Sequence, residues 1–236
     1  MEFEISIVIP VFNESDNISI LSSAIHKAMS DTGYSYECIF VDDGSIDESY
    51  KEMKNVCEED DNFRIVRLRE NCGQTAALDA GFKASRGKYI VMMDADLQND
   101  PFDIPLLFAE IDDYDMVYGW RSERQDPLIK IISAKVANCV RNKLTSENIK
   151  DIGCSLKIFH RECLDKIKLY NGMHRFLPTL FKIEGFSVKE ARVKHNPRIY
   201  GKSKYNIRNR IFKSFLDLLA VRWMKKRKLY YEVRDE

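Results

Sequence analysis

Short apolar runs alternate with amphipathic stretches over the first half of the chain. The runs predict strands at Glu4 to Pro10, Tyr36 to Val41, Phe63 to Leu68, Lys88 to Met93 and Asp115 to Tyr118. Because runs such as IVIP and YIVMMD are continuous rather than alternating, they indicate strands that are covered on both faces. Strands that alternate with helices predict an open α/β fold with a mostly parallel central sheet flanked by helices.

The first amphipathic stretch carries signals for both ends of a helix. Its apolar positions keep helical spacing at Ile18, Leu21, Ile25 and Met29. We predict that Ser15 or Asp16 caps its N-terminus, because their side-chain oxygens can accept from the first backbone N–H groups. Gly33 is predicted to end the helix.

The second half of the chain shows a different pattern. We predict a helix from Ser133 to about Leu144, strands near Cys154 to Phe159 and Phe186 to Val193, and a final helix from about Asn206. One face of the final helix is apolar (Ile207, Ile211, Phe215, Leu218, Leu219 and Trp223), and its other residues include Arg208, Arg210, Lys213 and Arg222. Such a helix either lies in an anionic membrane interface or docks on the core, and amphipathicity alone fits both interpretations.

Composition narrows the class of protein. The 236 residues include 37 Lys plus Arg and 37 Asp plus Glu, and 44% of the chain is hydrophobic, which excludes a disordered chain. The six cysteines form no CxxC pair, so we interpret them as reduced thiols in the cytosol. The N-terminus lacks the pattern of a signal peptide, and no uncharged apolar stretch is long enough to span a bilayer.

The neutral total hides a charge asymmetry. Residues 1–62 hold 15 acidic and 3 basic residues, whereas residues 194–228 hold 12 basic residues and a single acidic one, Asp217. A basic tail of this kind predicts a phosphate or polyanionic surface as partner near the C-terminus.

Two carboxylates follow an apolar strand at Asp94 and Asp96, in the segment MDADLQ. Ligands of parallel α/β sheets bind at the carboxyl ends of strands. An Asp-x-Asp at that place offers oxygen ligands to one Mg²⁺ or Mn²⁺, and Gln98 could add a carbonyl oxygen. The alternative interpretation is a loop with solvated carboxylates.

Polar residues also follow two other predicted strands. Asp42 and Asp43 end one of them, and Asn13 and Glu14 follow the first. All three strand ends should meet at one sheet edge, where carboxylates can bind a base and ribose hydroxyls. For Asp47, just beyond, we favour a helix N-cap over a ligand contact.

Taken together, these motifs resemble the inverting glycosyltransferases of family 2, which have the GT-A nucleotide-diphospho-sugar transferase fold. The matching segments are VIPVFNE (Val8 to Glu14), VDDGSID (Val41 to Asp47), RENCGQTAALDAGFKASRG (Arg69 to Gly87), MDADLQNDP (Met93 to Pro101) and RIYGKSKY (Arg198 to Tyr205). Within this family the chain is more similar to the polyprenyl-phosphate group, which includes dolichol-phosphate mannosyltransferase and undecaprenyl-phosphate sugar transferases.

The resemblance implies roles for individual residues. It implies a nucleotide-sugar site formed by Pro10, Phe12, Glu14, Asp42, Asp43, Asp94, Ala95, Asp96, Arg121, Arg198 and Lys204, and a metal site at Asp94, Asp96 and Gln98. It implies an acceptor-phosphate site at Arg121, Lys130 and Ser133, and catalytic roles for Asp96, Asp151 and Arg121. Asp151 is either a sugar-positioning group or a weak base, or else a turn residue before a strand.

The implied reaction moves a sugar from a GDP- or UDP-sugar to a polyprenyl phosphate, with inversion and with Mg²⁺ or Mn²⁺ as cofactor. The implied catalytic domain is residues 1–206, followed by a basic C-terminal helix and tail at residues 207–236. Because the implied acceptor is a lipid, the resemblance favours the membrane-interface interpretation of this helix. The expected location is peripheral, at the cytoplasmic face of a membrane, with a possible membrane partner subunit and no nucleic acid. The alternatives are a soluble family 2 enzyme that acts on a glycan or surface polymer, and a non-catalytic nucleotide-sugar-binding subunit.

Overall fold

The computed structural model describes residues 3–122, 138–145, 147–197, 207–229, 231 and 234, with the side chains of the last helix from residue 214 onward. The strands are β1 (Ile5–Val11), β2 (Tyr36–Asp42), β3 (Phe63–Arg67), β4 (Tyr89–Met92), β5 (Met116–Arg121), β6 (Lys157–His160) and β7 (Val188–Val193). The α-helices are α1 (Ser15–Ser30), α2 (Ser49–Glu59), α3 (Gln74–Ala84), α4 (Ile104–Phe108), α5 (138–145), α6 (Leu177–Glu184) and α7 (Ile207–Arg227). Short 3₁₀ helices lie at Pro101–Asp103, Ile111–Asp113, Arg161–Lys166 and Met173–Phe176.

The strands form one sheet in the order β3-β2-β1-β4-β6-β5-β7. Strands β1 to β4 pair in parallel, β7 pairs in parallel with β5, and β6 runs antiparallel to both of its neighbours. The prediction of a mostly parallel α/β sheet is confirmed, and each predicted strand lies within three residues of an observed one at both ends.

Helices cover both faces of the sheet, as the continuous apolar runs predicted. One face packs on α1 and α2 through a cluster that includes Ile7, Leu21 and Met53. The other packs on α3 and α6 through a cluster that includes Leu78 and Phe181. With both faces covered, the sheet leaves its strand ends as the place where polar side chains can meet a ligand.

Helix α3 lies very close to the sheet because of a glycine. A Cβ on Gly81 would overlap the side chains of Val8 and Val41. At the other end of the helix, Gly73 is the N-cap and has a positive φ of 90°. These two glycines bring the start of α3 to the carboxyl end of the sheet, beside the residues that follow β4.

The prediction for the N-cap of α1 is wrong. The helix begins at Ser15, its N-cap is Glu14, and the Glu14 side chain makes no capping bond to a backbone N–H of the first turn. The backbone N–H groups at this end bond to the neighbouring loop instead. Glu14 N donates to Ser49 Oγ at 2.8 Å and Ser15 N donates to Asp47 Oδ2 at 3.4 Å. The helix also stops at Ser30, three residues before Gly33.

Candidate functional site

The two carboxylates of the Asp-x-Asp motif lie just beyond the end of β4. Gln74, the first residue of α3, donates from Nε2 to Asp94 Oδ1 at 2.7 Å. Asp96 is 8% exposed and accepts from the backbone N–H of Gln98 at 3.2 Å. Burial, and then the neighbouring charge of Asp96, raise the pKa of Asp94 to about 6. Because the two negative charges repel each other, a cation bound between the carboxylates would stabilise both in the ionised form.

This donor set fits a divalent cation that takes its other ligands from a substrate. Within the described ranges, no group of three or more His, Cys, Asp or Glu side chains could hold a metal ion. Mg²⁺ is usually bound through one or two carboxylates and completes its shell with water and substrate phosphates. Asp94 and Asp96 supply that number of carboxylates, so the residues fit the metal that the sequence predicts.

Beneath the motif lies a polar layer that the sequence analysis missed. Asp94 is hydrogen-bonded to Ser155, whose hydroxyl donates to Asn99 Oδ1 at 2.5 Å. Lys157 is 1% exposed, and its ammonium group donates to the carbonyl of Cys154. Burial lowers the pKa of Lys157. A lysine inside the apolar run SLKIF was the available signal, since buried lysines are rare without a partner.

The structure brings together two residues that the sequence predicted separately. Arg121 at the end of β5 donates to Asp151 through Nε at 2.7 Å and through Nη2 at 3.0 Å. The backbone N–H of Arg121 also donates to Asp151 Oδ2 at 3.3 Å. Both side chains are largely buried, at 13% and 6% exposure. This bidentate pair fixes the guanidinium plane beside the Asp-x-Asp motif.

Asp42 makes contacts within the protein at the end of β2. It is fully buried, and its Oδ1 accepts from the backbone N–H of Ser45 at 2.8 Å. Its Oδ2 accepts from Arg67 Nε at 3.2 Å, and the Arg67 guanidinium lies over the ring of Tyr50 at 4.0 Å. In this structure Asp42 therefore organises the β2 and β3 ends, and its assignment to the nucleoside pocket stays a prediction.

Asp43 holds the loop that leads into α3. Its carboxylate accepts from Cys72 N at 2.7 Å, Gly73 N at 3.0 Å and Asn71 Nδ2 at 3.1 Å. Burial nevertheless raises the pKa of Asp43, because it outweighs these bonds. Through this loop, Asp43 sets where α3 begins and hence where Gln74 meets Asp94.

The loop after β1 is tied to the loop after β2. Asn13 has a positive φ of 53°, its N–H donates to Ser45 Oγ at 3.0 Å, and its Oδ1 accepts from Ile46 N at 2.8 Å. Glu14 accepts from Asn17 Nδ2 at 2.6 Å. The flanking Pro10 lies in β1, and Phe12 follows that strand, half-buried. The strand ends predicted to meet at one edge do so.

The side chain of Asp47 accepts backbone hydrogen bonds from two helix starts. Its Oδ1 accepts from Ser49 N at 2.9 Å, and its Oδ2 accepts from Ser15 N at 3.4 Å. These N–H groups lie at the starts of α2 and α1 and have no acceptor within their own helix. The N-cap of α2 is Glu48, so Asp47 bonds to the helix starts from the position before the cap and is not the predicted N-cap itself.

Four predicted site residues, Lys130, Ser133, Arg198 and Lys204, lie outside the described residues. The chain just before Arg198 is described, and it crosses the loop of the Asp-x-Asp motif. Asn196 N donates to the carbonyl of Gln98 at 3.0 Å, and Lys194 N donates to Asp103 Oδ2 at 2.7 Å. The last described residues before Arg198 therefore contact the loop that carries Gln98.

Helix α7 docks with only part of its predicted apolar face. Leu218 and Val221 are buried against Met173, Phe176, Leu180 and Ile183 of the 3₁₀ helix and α6. Phe215, Leu216, Leu219 and Trp223 are between 41% and 63% exposed. No helix in the part of the chain that is described combines the length and apolar character needed to cross a membrane. One side of the helix therefore docks on the protein, and the membrane-interface interpretation of the exposed side stays a prediction.

Comparison with known proteins places the chain in a family. A model described as Glycosyl transferase family 2 matches residues 6–168. A dodecaprenyl-phosphate galacturonate synthase from Rhizobium johnstonii is 40% identical over an alignment of 224 residues, and the match covers 92% of this chain and 66% of that protein. An undecaprenyl-phosphate 4-deoxy-4-formamido-L-arabinose transferase from Proteus mirabilis is 35% identical over 86% of this chain and 63% of its own length. The chain thus spans less than two thirds of either relative.

A solved structure shares the fold. Glucosyl-3-phosphoglycerate synthase from Mycobacterium tuberculosis, crystallised with Mn²⁺, uridine diphosphate and phosphoglyceric acid, superposes with a TM-score of 0.72. The match covers 94% of this chain and 78% of that one at 16% identity. At this identity the match supports the fold alone. The strand order, the acidic strand ends and the match over residues 6–168 agree: this chain belongs to glycosyl transferase family 2.

Proposed function

We propose that the chain transfers a sugar from a nucleotide-diphospho-sugar to a polyprenyl phosphate, with inversion at the anomeric carbon. The observation that carries the proposal is the 40% identity, over 92% of this chain, to a dodecaprenyl-phosphate galacturonate synthase. The geometry of the sheet edge supports it, because Asp94 and Asp96 lie beside the rigid Arg121–Asp151 pair. Galacturonate linked to UDP is the first donor to test.

The role proposed for each residue of the site follows from the chemistry of its side chain. Asp94 and Asp96 would hold Mg²⁺ or Mn²⁺, with Gln98 nearby, and the ion would act as a Lewis acid toward the leaving diphosphate. The side chains that follow β1 and β2 would hold the nucleoside. Arg121 would stabilise phosphate charge, since guanidinium groups bind phosphate oxygens well and the Asp151 carboxylate already fixes its plane.

The acceptor needs little help from a base. A phosphate monoester has its second pKa at about 6, so much of the acceptor is already dianionic at neutral pH. A phosphate oxygen would attack the anomeric carbon, and the bond from that carbon to the diphosphate would break. Asp151 would then position the sugar rather than remove a proton. Lys130 and Ser133 stay as the proposed acceptor-phosphate residues, and Arg198 and Lys204 as donor-phosphate residues.

A lipid acceptor requires contact with a membrane, and α7 has the surface for it. Its exposed residues Phe215, Leu219 and Trp223 follow one another at helical spacing, and Arg222 and Lys226 flank them. Apolar side chains beside cations suit an interface that contains anionic lipid. We propose that the protein sits peripherally at the cytoplasmic face of a membrane through this surface, with or without a partner subunit.

The experiment that tests this function offers both kinds of acceptor in one assay. Radiolabelled UDP- and GDP-sugars, including UDP-galacturonate, are incubated with undecaprenyl phosphate, dolichyl phosphate or a water-soluble glycan. The proposal expects label in the lipid fraction, loss of transfer with a chelator and recovery with Mn²⁺. Label in the glycan alone would identify the soluble enzyme instead. Donor binding without any transfer would identify a non-catalytic subunit, and transfer without metal would contradict the metal site.

A further inference from the structure

The segment that carries Asp151 has no regular secondary structure, yet it is held at three successive residues. Arg141 is 3% exposed and donates from Nη2 to the carbonyl of Ile149 at 2.8 Å. The next two backbone N–H groups, of Lys150 and Asp151, both donate to Glu190 Oε1, at 2.6 Å and 3.2 Å. One carboxylate oxygen on β7 therefore fixes the backbone at Asp151.

Glu190 is itself held by a buried partner. It pairs with Tyr118 in the register of β5 and β7, and the hydroxyl of Tyr118 is hydrogen-bonded to it. Burial, and then Glu190, raise the pKa of Tyr118 far above its usual range. Three residues further along β5 lies Arg121, the partner of Asp151. The carboxylate thus joins β5, β7 and the segment before β6 at one point.

We propose that Glu190 is a positioning residue for sugar transfer. It fixes the backbone of residues 150 and 151, so that the Asp151 carboxylate meets Arg121 in the bidentate geometry. The inference rests on the proposed function, because it treats the Arg121–Asp151 pair as part of the transfer site. Glu190 touches neither substrate in this scheme and acts only through that pair.

The side chain of Lys150 provides a local reporter. Its ammonium group lies 4.0 Å from the ring centre of Trp120, and Arg192 lies over the same ring at 5.3 Å. The chain contains two tryptophans, and the other is Trp223 on α7. A Trp223→Phe background therefore leaves Trp120 as the single tryptophan, and its emission senses where Lys150 lies.

Two variants separate the hydrogen-bond acceptor from the space that it fills. Glu190→Gln keeps an oxygen that can accept from both N–H groups, whereas Glu190→Ala removes it. In the Trp223→Phe background, we expect Glu190→Ala to shift the emission of Trp120 and to speed hydrogen exchange in residues 147–156. Glu190→Gln should leave both nearly unchanged. Glu110→Gln is the matched control. It neutralises a half-exposed carboxylate that pairs with Lys189, the residue before Glu190 on β7.

Turnover is then measured with undecaprenyl phosphate and the donor that the wild type uses. We expect Glu190→Ala to lower kcat about 100-fold with donor KM within about threefold, since misplacing a site group by about 1 Å costs about that much. Glu190→Gln should recover most of kcat, and Tyr118→Phe, which removes the hydroxyl that holds Glu190, should lower kcat by less than Glu190→Ala does. A merely structural role would lower thermal stability, and the kcat of the molecules that remain folded would stay at the wild-type value.

Each outcome bears on the inference. If the wild type transfers sugar and Glu190→Ala has the same kcat, the positioning role of Glu190 is overturned and the proposed function stands. No transfer by the wild type overturns the proposed function, while the Trp120 emission and exchange data still decide whether Glu190 holds residues 150 and 151. Where Glu190→Ala fails to fold, Glu190→Asp replaces it, because its carboxylate is drawn back by one methylene. A wild-type kcat in that variant overturns the inference too.

Discussion

The carboxyl edge of the sheet and helix α7 are held in different ways. At the sheet edge, Asp42, Asp43 and Asp151 each accept two or more hydrogen bonds at fixed distances. Helix α7 rests on α6 mainly through Leu218 and Val221 and leaves large apolar side chains in solvent. The first region is organised before any ligand arrives, and the second keeps a surface that its own chain does not cover.

This difference suits two kinds of partner. A small polar donor gains affinity and rate from groups that are already in place, because no ordering is needed when it binds. A bilayer is a fluid partner, and apolar area plus a few cations suffice to bind it. The following predictions test whether fixed polar contacts carry chemistry at one end while apolar area carries attachment at the other.

The largest effect is expected at the Asp-x-Asp motif. Asp94→Asn or Asp96→Asn removes a charge from the pair that is proposed to hold the metal, and should lower kcat on the order of 10³-fold. The measurement is transfer of radiolabelled sugar at saturating substrates and Mn²⁺. Asp79→Asn is the control, because Asp79 pairs with Lys83 on the surface of α3. Equal activity in the motif variants and the control would rule out the metal site.

The next effect concerns the buried pair. Asp151→Asn should lower kcat about 100-fold, because the sugar and Arg121 would lose the group that is proposed to position them. It should also lower the free energy of unfolding by about 2–3 kcal/mol, since it leaves Arg121 buried without its charged partner. Replacing both residues, Arg121→Met with Asp151→Leu, should restore stability but not transfer. Denaturant unfolding and turnover are measured on the same samples. Full turnover in Asp151→Asn would exclude a role for this carboxylate in transfer.

Glu37 lies away from the candidate site and provides a reference substitution that should change stability without changing turnover. Glu37 is 2% exposed and accepts from Arg64 Nε at 2.7 Å, Ser6 Oγ at 2.6 Å and Arg86 N at 2.7 Å. Burial alone would raise its pKa, but these hydrogen bonds outweigh burial and lower it. Glu37→Gln should therefore cost about 2 kcal/mol of unfolding free energy at pH 7 and leave kcat unchanged.

The pH dependence of that cost has a definite sign. Because the pKa of Glu37 is lower in the folded chain than in the unfolded chain, its contribution is complete at neutral pH. It is lost as the pH falls through the folded-state value, below about 4. The difference in stability between wild type and Glu37→Gln should shrink over that acidic range in urea titrations. A difference that stays constant down to pH 3 would contradict the assignment.

The smallest effect is expected on the exposed side of α7. Leu219→Ser removes apolar area that is 41% exposed and should weaken binding to vesicles with anionic lipid by about 1 kcal/mol, or about fivefold. Unfolding free energy should stay unchanged. Ile46→Ser is the control, since Ile46 is 90% exposed on a loop at the sheet edge. Sedimentation with vesicles at low salt measures both, and equal retention would show that α7 does not face the lipid.

Leu218→Ser on the docked side of α7 should behave in the opposite way. It removes a buried side chain from the contact with α6 and should cost about 2–3 kcal/mol of unfolding free energy. Vesicle binding per folded molecule should change little. If Leu218→Ser and Leu219→Ser had the same effects, the two sides of the helix would not be distinct.

Most of the fold could be predicted because its signals are local. Apolar runs marked β1 to β5, and Asp94 and Asp96 were placed at a strand end by their position alone. The pairing of Arg121 with Asp151, and of Glu190 with the backbone of both Lys150 and Asp151, joins residues 30 to 40 positions apart. No pattern in one sequence encodes which of these residues will meet.

The errors at the helices have physical causes as well. Ser15 looked like an N-cap, but Glu14 takes that position, and the backbone N–H groups of Glu14 and Ser15 donate to Ser49 at the start of α2 and to Asp47 just before it. On α7, the apolar spacing identified the helix but not the partner of each side chain. Leu218 and Leu219 are neighbours in sequence, yet one is 5% exposed and the other 41%, because α6 lies on one side only.

The reversed direction of β6 has a consequence for how this protein could be altered. Since β6 runs against β4 and β5, the chain enters it from the edge that carries Asp94 and Arg121. The short stretch of residues 151–156, which leads from the partner of Arg121 into β6, therefore lies near that edge. A donor of different size could be accommodated by exchanging this short stretch, provided that the exchanged piece keeps its contact with Glu190, while all seven strands stay as they are.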